Sequence, residues 1–150
     1  MTRSPSLLAN FLRTHNDALS AWKRSFGSLE PDLDASMDVE RRLAWLASDL
    51  RRLGAAGEGE PVGPRWPSGR ASAWGSAYVL LGSTLGGQRL ARDVASSDPA
   101  GLRLEFLVGH GSDTGPRWKR FVAALDDSGA DPELAIEAAS ETFAFFTRRL

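Results

Sequence analysis

No cysteine occurs in the 150 residues, and only two histidines, His15 and His110, do. Disulfides and thiolate chemistry are therefore excluded, and the absence of cysteine fits a reducing cytoplasm. No cluster of His, Asp and Glu has the spacing of a metal site. No segment approaches the roughly 18 consecutive apolar residues of a membrane span, and no apolar run follows Met1-Thr2-Arg3-Ser4-Pro5 as a signal peptide would require. Charge of one sign is lacking too. Eighteen Lys and Arg stand against nineteen Asp and Glu, a net charge of -1. That balance excludes an electrostatic nucleic-acid or membrane-surface binder. There is no internal repeat, so residues 1–150 read as a single soluble domain, expected in the cytoplasm.

What is present is helical. Leu8, Leu12, His15, Leu19, Trp22 and Phe26 step by three or four, which predicts a helix over about Ser6–Ser25 with His15 on its apolar face. Gly27 and Pro31 break the pattern. Asp38 is placed to cap a second helix, whose stripe is Leu43, Leu46, Leu50 and Leu53 and which Gly54 ends. Residues 54–69, rich in Gly and Pro, read as an irregular, solvent-facing connector. A third helix spans about Arg70–Ala95. Leu102–Val108 alternates like a strand, but a lone strand would be unstable, so coil or a helical turn is expected. Thr114 or Asp113 opens a fourth helix with Pro116 in its first turn. Asp131-Pro132 opens the last, with Leu134, Ile136, Ala139, Phe143 and Phe146 as its core. The five tryptophans read as core and loop anchors. The fold class is all-α, with about five main helices.

The third helix holds the one stretch that needs a special explanation: Tyr78-Val79-Leu80-Leu81-Gly82-Ser83-Thr84-Leu85-Gly86-Gly87-Gln88. Each interior glycine costs on the order of 1 kcal/mol relative to alanine. Two readings account for three of them. Either a flat or bulky group approaches the helix backbone, or another helix packs closely through small residues.

This string resembles the distal-helix motif of the bacterial, biliverdin-producing heme oxygenases, the bacteriophytochrome-associated type. Arg42-Leu43-Ala44-Trp45-Leu46-Ala47-Ser48-Asp49-Leu50-Arg51-Arg52-Leu53-Gly54 is similar to the family's helix ending in Asp-Leu-x-x-Leu-Gly. Gly115-Pro116-Arg117-Trp118-Lys119-Arg120-Phe121 with Leu125 looks like its Gly-x-x-Trp-x-x-Phe-x-x-x-Leu helix. Ala138-Ala139, Thr142-Phe143 and Arg148-Arg149-Leu150 fit its final helix. The resemblance implies a heme-oxygenase-like helical bundle.

The N-terminus leaves two alignments. One makes Leu12-Arg13-Thr14-His15 the helix of the proximal histidine, with the family's second helix deleted. The other makes Phe11-Leu12-x-x-His15 that second helix, with the proximal helix missing. The second is preferred, because Leu29-Glu30-Pro31-Asp32-Leu33-Asp34 runs directly into Val39-Glu40-Arg41-Arg42.

The resemblance implies distal catalytic positions at Gly82, Ser83 and Gly86, with Ser83 able to anchor water. It implies cofactor contacts at Tyr78, Gly87, Lys119 and Arg120, and His15 as the candidate axial ligand. His110, between two glycines, reads as structural or exposed. The implied function is binding of heme or a related tetrapyrrole without the proximal helix, so that cleavage is not expected. The alternative is a compact heme oxygenase converting heme to biliverdin, iron and CO through His15. Implied partners are a second copy or a partner's helix over the open proximal side, and a phytochrome or electron-donor protein.

Overall fold

The computed structural model describes residues 5–57, 60–98 and 100–150, and among them there is no strand. Among the described residues seven α-helices follow one another: α1 Pro5–Phe26, α2 Pro31–Met37, α3 Val39–Arg52, α4 Arg70–Ser97, α5 Glu105–Val108, α6 Thr114–Asp127 and α7 Pro132–Arg149. Five are long, as the periodicity predicts, and α2 and α5 are single short pieces.

α1 buries the expected stripe of Leu8, Leu12, His15, Leu19, Trp22 and Phe26. Pro31 does not merely break the chain. It sits in the first turn of α2, where its missing N–H costs nothing, and Leu33 and Met37 then reach the core. Asp38 joins α2 to α3 in the left-handed region at φ 46°, and its side chain caps neither helix. This corrects the expected cap. The carboxylate instead pairs with His110 and Arg41.

α3 ends as Gly54 predicts. Gly54, at φ 65°, donates to the Arg51 carbonyl, and Ala55 donates to Leu50 at 2.7 Å. That crossed pair is a Schellman closure. Asp49, fully buried in the same helix, reaches across to α5. Its two carboxylate oxygens accept the Glu105 and Phe106 N–H groups, each at 2.8 Å. A side chain 56 residues away thus satisfies the exposed amides of α5's first turn. Leu102–Leu104 is coil leading into that turn, as expected.

The connector is not solvent-facing throughout. Pro64 and Ala55 are buried, and a Cβ at Gly63 would fall 2.4 Å from the Ala21 Cβ. Arg13 donates to the Ala55 carbonyl, Arg149 to Val62, and Trp66 Nε1 to Thr142 Oγ1 at 2.9 Å. These bonds strap the segment over α1 and α7.

α7 packs most extensively on α4. Its buried residues are Ala138, Thr142 and Phe145, while Leu134, Ile136 and Phe143 are exposed. The expected stripe is therefore rotated, with only Phe146 and Ala139 partly buried. The cause is backbone proximity. A Cβ at Gly75 would lie 2.0 Å from the Ala135 carbonyl oxygen, so α7 turns its small residues toward α4.

Candidate functional site

The long helices α1, α4 and α7 enclose a largely apolar cavity of about 820 Å³. That falls within the range of small-molecule and cofactor pockets. α4 contributes Tyr78, Gly82, Ser83, Gly86 and Gly87; α1 contributes Phe11 and His15; α7 contributes Phe143, Phe146 and Leu150.

The glycines of α4 separate by role. Gly75, buried deeper in the helix, is the one that admits a neighbouring backbone. Gly87 has an internal reason as well, since a Cβ there would come 3.1 Å from the Leu107 carbonyl. At Gly82 a Cβ would make ordinary contact, 3.4 Å from the Trp118 ring. At Gly86 it would meet nothing within 4 Å. Packing inside the chain therefore accounts for Gly75 and Gly87, and leaves Gly82 and Gly86 presenting bare backbone to the cavity.

Ser83 donates its hydroxyl proton to the Leu80 carbonyl at 2.7 Å. What it offers a second partner is acceptor lone pairs. Tyr78 is partly exposed at the rim, its ring 5.2 Å from that of Trp118, which also lines the cavity.

His15 stands among three phenylalanines, with ring centroids 4.6 Å from Phe11, 4.7 Å from Phe146 and 5.1 Å from Phe106. It is 3% exposed. Burial, with a smaller contribution from the Arg42 charge, lowers its pKa from 6.5 to about 3, so the imidazole is neutral at pH 7. Neutrality is what a metal ligand needs. Among the described residues no hydrogen bond reaches the ring. A ligating histidine normally donates its other N–H to a carboxylate or carbonyl that fixes the ring, and that support is missing here.

Lys119 and Arg120 are exposed, and neither contributes to the cavity wall. Arg120 lies 3.5 Å from Asp113 instead. The cavity's own charged groups are Arg89 and Asp93, which the motif did not indicate. Helical spacing could have found them, because positions 82, 86, 89 and 93 recur at intervals of four, three and four along one face. Of the two expectations for His110 the structural one applies: its Nε2 lies 3.0 Å from the Asp38 carboxylate and its ring packs edge-on against Trp45.

The residues present suit a flat, mostly apolar ring system with an anionic edge. Gly86 forms a cradle that a side chain would fill, aromatic and aliphatic groups form the walls, and Arg89 supplies one cation. Among the described residues no group of three or more His, Asp or Glu side chains could hold a bare metal ion. Among the described residues no helix is long and apolar enough to cross a membrane.

No protein-family model matches the chain, and no solved structure matches it. A protein named heme oxygenase from Xanthomonas campestris pv. campestris (strain 8004) is 33% identical over 146 residues, covering 92% of this chain and 85% of that protein. With that relatedness along nearly the whole length, and an all-helical fold, the chain belongs to the heme oxygenase family.

Proposed function

We propose that the α1–α4–α7 cavity binds heme or a closely related tetrapyrrole, with one face of the macrocycle against the bare backbone of Gly82 and Gly86. The observation that carries this reading is Gly86. It is an interior helical glycine with no neighbour to require it, beside an apolar cavity of cofactor size.

Heme, when bound, supplies iron for oxygen chemistry at the ring's own edge. The chain's contributions are positional. Gly82 and Gly86 let the ring approach, Trp118 and Phe143 form apolar walls, and Arg89 pairs with an anionic substituent at the rim. Ser83 offers an acceptor that can hold a water near the ring. In this reading His15 is a buried wall residue, not a prepared ligand. Three aromatic rings surround it, and among the described residues no hydrogen-bonding group orients it.

A second reading has a specific observation in its favour. His15 lines the same cavity as the glycines and is neutral, so a modest shift of Phe11 or Phe146 would present it to iron. The protein would then be an active heme oxygenase, using an external electron donor to form biliverdin. The exposed rim, with Tyr78, Leu85, Phe143 and Leu150, further supports a second copy of the chain closing over the cavity.

Hemin titration of wild type and His15→Ala separates the two readings. Binding in both, with closely similar spectra, is the expected result. Loss of a ligated heme spectrum in His15→Ala, with biliverdin formed by wild type and reductant, would replace the first reading with the second.

A further inference from the structure

Leu81 and Thr84 lie on a different face of α4 from Gly82 and Gly86. There they border a small void of about 10 Å³, together with Ser36, Arg42, His110, Thr114 and Arg117. Such a void holds roughly one water-sized particle.

Its surroundings carry unbalanced positive charge. Arg42 is 4% exposed and spends its Nε–H on the Met37 carbonyl at 2.6 Å. Arg117 donates one Nη2 hydrogen to the Ala35 carbonyl, but its Nε is buried and has no partner among the described residues. The acid acting on Arg42 is Asp38, which already binds His110 and lies 3.5 Å from Arg41. Neither Arg42 nor Arg117 forms an ion pair among the described residues, and the carboxylate whose charge acts on Arg42 is itself occupied. Donors also outnumber acceptors. The Thr114 oxygen accepts from Gln88 at 3.3 Å, which leaves its proton free to donate, and among the described residues the Ser36 hydroxyl makes no bond.

We propose that this void is a binding site for one small monovalent anion of the chloride class, held by Arg117 Nε–H and the Thr114 hydroxyl beside Arg42. A water would satisfy the orphan N–H but leave the buried charge uncompensated, which is the costlier defect. In keeping with this, burial first and then the Arg117 charge lower Arg42 to about 10. The anion would join α2, α3, α4 and α6 at one point.

The test is thermal unfolding of the full chain in sodium chloride against sodium gluconate at equal ionic strength. Gluconate is too large for the void. Above the dissociation constant, each tenfold rise in chloride should raise Tm by about 3–5 °C. Arg117→Met should abolish that response, and exposed Arg24→Met should keep it. Should Arg117→Met fail to fold, crystals grown in bromide decide the matter. An anomalous peak within hydrogen-bonding distance of Arg117 Nε supports the site. Equal Tm in the two salts, or a water in place of bromide, overturns it.

Discussion

Gly75 of α4 and Ala135 of α7 meet backbone to backbone: a Cβ on Gly75 would sit 2.0 Å from the Ala135 carbonyl oxygen. The contact sets the rotation of α7 and hence which of its residues line the cavity. Gly75→Ala should destabilise the protein by about 2–3 kcal/mol or more, because backbone must move on both sides. Chemical denaturation would show it as a lowered midpoint with little change in slope.

The same substitution eleven residues later should have the opposite sign. At Gly86 a methyl group meets nothing, so Gly86→Ala should stabilise the protein by about 1 kcal/mol through helix propensity alone. Thermal unfolding of the two variants side by side distinguishes a glycine kept for packing from one kept for another purpose.

Asp49→Ala should cost about 3 kcal/mol. It removes a buried carboxylate that satisfies two amides, and leaves the Glu105 and Phe106 N–H groups without acceptors. Because α5 carries Phe106 against His15, amide exchange in residues 105–108 should accelerate more than in α4.

His15 predicts an acid-labile fold. The unfolded chain protonates it near pH 6.5, and the folded chain near 3. Between those values the unfolded state holds more protons, so stability is lost as pH falls, by up to about 1.4 kcal/mol per unit. Above pH 6.5 the contribution is fully present. His15→Phe should flatten the difference in denaturation midpoint between pH 7 and pH 4.5 relative to wild type.

Much of the helical frame was legible because it rests on local signals. The α1 stripe, Gly54 and Asp131-Pro132 each act within a turn or two of chain. Asp131 indeed accepts from the Glu133 and Leu134 amides. What escaped depends on distant partners. Apolar size alone favours Ile136 and Phe143 as core, yet the glycine opposite Ala135 selects Ala138 and Thr142. Composition reads residues 54–69 as exposed, whereas Arg13 and Arg149, far away in sequence, fasten them down. Asp38 has the chemistry of a cap, but its left-handed backbone sends it to His110. Within the site, the glycine motif located one wall. Lys119 and Arg120 stayed outside it, and Arg89 entered by helical spacing that no motif marks.

The most direct measurement is hemin affinity by absorbance for wild type and Gly86→Leu. A Cβ there meets no atom within 4 Å, so a leucine side chain enters the cradle from a position the chain leaves open. Saturable binding by wild type is expected, with at least about a tenfold loss in a variant that remains as stable as wild type, equivalent to about 1.4 kcal/mol. Unchanged hemin affinity in Gly86→Leu, or no binding by wild type, would contradict it.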